Sequence, residues 1–169
     1  MNPLNPDTLL RIGCAAGFSG DRTDAALPVV RSLIASGGPA VLIFETLAER
    51  TLALAQLARR QDPDAGYEPL LDDLLRPVLG LCQQSGVRIV SNFGAANPRG
   101  AARRIAALAH ELGLRAPRIA VVHGDDLSGP EQRALLDEAL GGAMGGLKLV
   151  SANAYLGAEA IADALLAGA

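Results

Sequence analysis

Short apolar runs alternate along the chain with longer stretches of helical periodicity. LLRIGC at Leu9–Cys14, AVLIF at Ala40–Phe44, VRIV at Val87–Val90, RIAVVH at Arg118–His123 and LKLV at Leu147–Val150 predict five β-strands. The unbroken run AVLIF is the pattern of a parallel strand covered on both faces. Between these runs, Ala25–Ala35, Leu47–Arg60, Glu68–Gln84, Gly100–Leu112, Pro130–Leu140 and Ala158–Leu166 predict helices. Pro77 should kink or divide the third of them, because its ring removes a helical hydrogen bond. Pro98 and Pro130 suit the first turn of a helix, where a missing N–H costs nothing. Strands separated by helices imply right-handed βαβ crossovers and a parallel sheet. The expected architecture is therefore α/β: an open, doubly wound, mostly parallel sheet of about five strands with helices on both faces. A partial α/β barrel is the alternative.

The chain reads as one domain over residues 1–169. Its pattern calls for a further strand after Gly168-Ala169, so it reads as the N-terminal part of a longer architecture. The sheet edge beside Leu147–Val150 would then be left unpaired. The expectation is a homo-oligomer, or a partner chain held across that edge.

Half the residues are hydrophobic, a fifth are charged, and the net charge is −3, which gives no electrostatic reason to expect nucleic acid or a membrane surface as partner. No apolar run is long enough to span a bilayer. The opening MNPLNPDTLLRIG has no basic n-region and no long apolar h-region, so it does not read as a secretory signal. Cys14 and Cys82 form no CxxC and read as reduced thiols of a cytoplasmic protein.

Candidate chemistry lies after the strands, where parallel α/β sheets bind their ligands. The first loop, GFSGDR, places Phe18, Ser19, Gly20, Asp21 and Arg22 there. It either holds an anion by backbone N–H groups at a helix start, or is a tight turn with an Asp cap. Glu45 directly follows AVLIF; partial desolvation would suit it to acid–base work, and an ion pair with Arg22 or Arg50 is the alternative. Asn92, Phe93 and Asn97 follow the third strand. His123, an acid–base candidate, opens the fourth loop with Asp125 and Asp126. Those two carboxylates either hold a divalent metal or serve as helix cap and solvated charge. Nothing else in the inventory requires a cofactor. Asn153 and Tyr155 follow the fifth strand. Four of the five aromatics, Phe18, Phe44, Phe93 and Tyr155, fall at or just after strand ends. They read either as caps on a small-residue core or as the wall of an apolar pocket. Cys14 reads as a buried small hydrophobe sooner than as a nucleophile, and His110 as a surface residue.

GFSGDR at Gly17–Arg22, FETLAERTLALAQ at Phe44–Gln56, NFGAANP at Asn92–Pro98, GDD at Gly124–Asp126 and SANAYLGAE at Ser151–Glu159 occur in that order. Together they resemble the acyclic terpene utilisation (AtuA-like) family, from about Ile12 to the end of the chain. The resemblance implies a cytoplasmic protein of citronellol- or geraniol-type catabolism, and a branched acyl or acyl-CoA compound as its small-molecule substrate. It implies no mechanism. In an enzymatic reading Phe18, Phe93 and Tyr155 line the apolar tail site and Ser19, Gly20 and Arg22 hold an anionic group. Glu45, with Asp21 and His123, supplies proton transfer, while Asn92, Asn97 and Asn153 orient a carbonyl or hydroxyl, beside Asp125. The competing reading is a non-catalytic binding or assembly subunit.

Overall fold

The computed structural model describes residues 9–169; the part of the signal-peptide reading that falls on residues 1–8 lies outside them. Three strands, β1 (Arg11–Ala16), β2 (Ala40–Phe44) and β3 (Arg88–Ser91), form a parallel sheet in the order β1-β2-β3. The register pairs Gly13 with Leu42 and Leu42 with Ile89. Helix α1 (Ala26–Ser36) links β1 to β2. Helices α2 (Glu49–Gln61), α3 (Leu71–Leu75) and α4 (Leu79–Ser85) link β2 to β3, with α3 and α4 separated at Pro77. Helix α5 (Pro98–Glu111) follows β3, and α6 (Pro130–Ala139) and α7 (Glu159–Leu166) complete the described chain.

The core lies on one face of the sheet. Ala40, Leu42 and Phe44 are buried there, with Val30 and Leu33 of α1 and Leu79 and Cys82 of α4. Helix α1 approaches β1 closely: a Cβ on Gly13 would lie 2.5 Å from Val29 Cγ1, so only glycine fits. The alternate positions of the sheet, Val41 and Ile43, are half-buried, while Ile12 and Cys14 are exposed. AVLIF is thus covered on one face, not on two, and Cys14 is not the buried hydrophobe that the sequence implied.

The fourth and fifth strands do not form; among the described residues the sheet has three. Residues 118–123 and 147–150 carry no regular secondary structure, and two carbonyls of the second stretch are taken by a side chain. Arg60 Nη2 donates to the carbonyls of Leu149 and Val150, both at 2.8 Å. The tips beyond the two stretches pair with each other, through an antiparallel bridge between Asp126 and Asn153. There Leu127 N donates to Ala152 O and Ala154 N to Asp125 O, each at 2.8 Å. The strand order contains no reversal, so this part of the sheet is common to a doubly wound fold and a partial barrel. The edge expected beside Leu147–Val150 therefore does not exist; the sheet edges here are β1 and β3.

Candidate functional site

The ends of β2 and β3 meet in one hydrogen-bonded node. Asn92 Nδ2 donates to Glu45 Oε1 at 2.8 Å. Asn92 Oδ1 accepts from the backbone N–H of Thr46 at 2.7 Å and from its hydroxyl at 3.2 Å. Glu45 Oε1 also accepts from Leu47 N at 2.9 Å. Each residue is placed by its strand: Glu45 and Thr46 are the first two after β2, and Asn92 is the first after β3. Thr46 is buried, whereas Glu45 is exposed. The desolvation expected at Glu45 is absent, and so is the ion pair with Arg22 or Arg50. Arg22 binds Asp24 instead, with Nε and Nη2 at 2.5 and 2.7 Å.

The first loop closes on its own carboxylate. Asp21 accepts from Gly17 N at 3.0 Å and Arg22 N at 2.7 Å. These N–H groups hold the Asp21 carboxyl below its ordinary value. The carboxylate thus closes the loop on itself and caps no helix, since α1 begins at Ala26 without a side-chain cap. Phe18 stands exposed beside it.

A cleft of about 310 Å³ opens between the loops that follow β3 and residue 122. Arg59, Ala95, Ala96, Asn97, Arg99, His123, Asp125 and Asp126 line it. The loop after β3 is stitched in place. Asn97 caps α5, its Oδ1 accepting from Gly100 N at 2.9 Å. Asn97 Nδ2 donates to the carbonyls of Pro63 and Ala65. Ala95 takes a φ of +41°, a conformation uncommon for a residue with a side chain. Arg59 Nη1 donates to Ala96 O at 2.6 Å and lies 4.0 Å from Asp126 Oδ2. Gln56 Nε2 donates to the same Asp126 oxygen at 3.1 Å, and the other Asp126 oxygen accepts from Ser128 N and Oγ. Burial opposes ionisation of Asp126, but these donors outweigh it and hold the carboxyl below its ordinary value. Asp125 accepts from Asn153 Nδ2 at 2.9 Å. The adjacent carboxylates thus have separate partners, and Asp126 acts as a turn cap ahead of α6. No group of three or more metal-ligating side chains occurs among the described residues.

The predicted residues therefore divide. Glu45 joins Asn92 at the ends of β2 and β3, and Asp125 joins Asn153 beyond the two stretches that form no strand; His123, Asp125 and Asn97 line the cleft. Phe93 does not line it. It is 1% exposed and stacks at a tilt on Phe44, ring centroids 5.0 Å apart, as part of the core. Tyr155 is 96% exposed, and its hydroxyl donates to Glu49 Oε1 at 3.3 Å. Ser19, Gly20 and Arg22 stay with the first loop, apart from the cleft lining. His110 is exposed on α5, as its sequence position suggested. Sequence reasoning missed Arg59 and Arg99, and it missed buried Gln56. Gln56 and Arg59, three residues apart on α2, share one helix face. That polar pair in an Ala- and Leu-rich helix was the available signal.

A family model described as acyclic terpene utilisation family protein AtuA matches residues 10–169. The chain belongs to that family. No curated protein and no solved structure matches it.

Proposed function

We propose that this member of the acyclic terpene utilisation family acts in the cytoplasm on a branched acyl compound, as the acid or its CoA ester, by acid–base chemistry at the carboxyl ends of the strands. The observation that carries the reading is the Glu45–Asn92–Thr46 node. An exposed carboxylate is fixed there by two neutral donors, on the ends of two adjacent strands. Its fixed orientation toward solvent is what a general base needs before substrate arrives. Asn92 is a positioning residue. His123 stands in the neighbouring cleft as a second proton-transfer group, and Arg59 and Arg99 supply the positive charge that an acyl anion or a phosphate would meet there. Hydration or elimination at a branched carbon requires proton transfer and oxyanion donors, which this inventory contains.

Native mass spectrometry of the protein against free branched acids and their CoA esters tests the substrate class. A turnover assay with any ligand so identified then tests Glu45→Gln. The variant should lose turnover while its Tm stays unchanged, since Gln can still accept from Asn92 and Leu47. Retained turnover with a lowered Tm would make Glu45 a structural residue. The second reading, a non-catalytic assembly subunit, draws on the uncovered face of the sheet. It predicts ligand binding without turnover in both forms.

A further inference from the structure

The ionisable side chains of the cleft divide into engaged and open groups. Arg59 is committed to Ala96 O and to Asp126, and Asp126 to Gln56 and Ser128. Asp125 accepts from Asn153. Arg99 and His123 also line the cleft, and neither side chain has a hydrogen bond or ion pair among the described residues. Both are exposed, and they come from different segments of the chain.

Charge decides what this open pair can hold. The two guanidinium groups of the lining are matched by its two carboxylates, so with His123 neutral the cleft carries no net positive charge. A phosphate dianion entering it would gain one open guanidinium and face Asp125 and Asp126 at close quarters. A carboxylate brings a single charge on two oxygens, which the planar fork of Arg99 can take as a bidentate pair. His123 offers a ring N–H donor in either protonation state. The remaining lining is small and apolar at Ala95, Ala96 and Pro98, and gives contact surface to a branched aliphatic chain. At about 310 Å³ the cleft lies at the lower end of the range for small-molecule sites, about 300–1,000 Å³. It has room for an acid of a few carbons, while a CoA carrier would lie outside it.

We propose that this cleft is a monocarboxylate site, which holds the head group of a short branched acid on Arg99 and His123 and excludes phosphate. The site narrows the branched acyl reading, on which it rests, to the free acid. A CoA ester carries its charge on phosphates, and its acyl carbonyl is neutral.

Of the two histidines of the chain, His123 lines the cleft and His110 does not, so the His123 ring signals in a proton–carbon NMR spectrum report occupancy and His110 is the internal control. The probes are 3-methylbutanoate, 3-methylbutanamide, 3-methylbutanoyl-CoA and inorganic phosphate, added to the full chain at constant pH and ionic strength. The acid should move the His123 signals saturably and leave those of His110 in place. The other three, at the same concentration, should move His123 far less. Arg99→Gln should weaken binding of the acid by about tenfold to a hundredfold. Arg31→Gln, the same change of charge at an exposed position of α1, should leave it as it is. An affinity for the acid that survives Arg99→Gln would overturn the proposal, as would phosphate or the CoA ester moving His123 as strongly as the acid. With His123 unmoved by any probe, acid or ester still bound in native mass spectrometry overturns the carboxylate site and leaves the acyl reading standing; neither bound overturns both. The comparison of the four probes uses the parent chain, so it decides the matter even if Arg99→Gln fails to fold.

Discussion

At the scale of the residue, Asn92 carries the site. Its amide satisfies Thr46 on one side and Glu45 on the other, so donor and acceptor ends are not interchangeable. Asn92→Asp keeps the acceptor for Thr46 N–H but sets a second carboxylate beside Glu45. The two charges repel only when both are ionised. The variant should therefore match the parent at about pH 2.5, well below the ordinary carboxyl range, and lose about 1–2 kcal/mol as pH rises to 7, a Tm deficit of about 2–8 °C. Melting curves at the two pH values check this; a deficit independent of pH would show that repulsion is not the cause. Ala95 offers a prediction of opposite sign. Its φ of +41° is one that glycine adopts without a Cβ penalty. Ala95→Gly should raise stability by about 0.5 kcal/mol, the relief exceeding the added entropy of the unfolded chain. Neither feature was legible in the sequence. NFGAANP marked a loop, but which amide faces which carboxylate depends on the parallel register of β2 and β3, and that is a long-range property.

At the scale of the element, the strongest polar tie joins α3 to α5. Arg104 donates to Asp72 through Nε at 2.7 Å and through Nη2, and to Glu111 through Nη1 at 2.7 Å. Arg76 donates to Glu111 at 2.9 Å and to Asp72 at 3.2 Å. Hydrogen bonds from these guanidinium groups, Arg104 first, hold both carboxyls below their ordinary values. Groups with depressed folded-state values add stability above the unfolded carboxylate range and lose it as pH falls through the folded values. Arg104→Met should thus lower stability by about 1 kcal/mol at pH 7. The parent and variant curves should converge as pH falls through the depressed folded-state values of Asp72 and Glu111, where both carboxyls take up protons. Denaturant titrations across that range measure it. Most elements were legible because their signals are local: AVLIF is β2 residue for residue, and Pro77 divides α3 from α4 as its chemistry demands. RIAVVH failed as a strand because an apolar β-branched run states only that a segment can pair. Whether it does depends on a partner, and here the tip beyond RIAVVH bridges to the tip beyond LKLV, at Asp126 and Asn153, while LKLV gives two carbonyls to Arg60. Without ladder bonds, the amides of residues 119–122 should exchange with solvent far faster than those of residues 41–44. Equal protection in a hydrogen-exchange experiment would restore the fourth strand.

At the scale of the whole molecule, the chain has a packed body and a thinly anchored remainder. The buried core runs from Ala15 to Ala109. Beyond residue 114, Met144 is the one buried hydrophobic residue among those described, while Leu135, Leu140, Leu147 and Leu166 are exposed. What holds this remainder is polar: Arg60 to the carbonyls at 149 and 150, Arg88 to Leu165 O, Gln56 to Asp126, and Gln83 to Arg115 O. Exposed hydrogen bonds of this kind contribute about 0.5–1.5 kcal/mol each, well below what a buried apolar face provides. The remainder nevertheless supplies His123 and Asp125 to the cleft, so the cleft is only as ordered as these few bonds make it. Local opening should therefore precede global unfolding. Within the remainder, Gly141, Gly142 and Gly145 hold positive φ in a turn, GGAMGG, of which every residue but Met144 is exposed. Limited proteolysis with an enzyme of broad specificity should cut first within residues 141–147 and leave the body intact. A ligand that binds the cleft bridges Arg59, in the body, to His123 in the remainder, and should slow that cut by mass action on the closed form. First cleavage inside the body, between α1 and α5, would show that the polar anchors hold the remainder more firmly than the core holds the sheet.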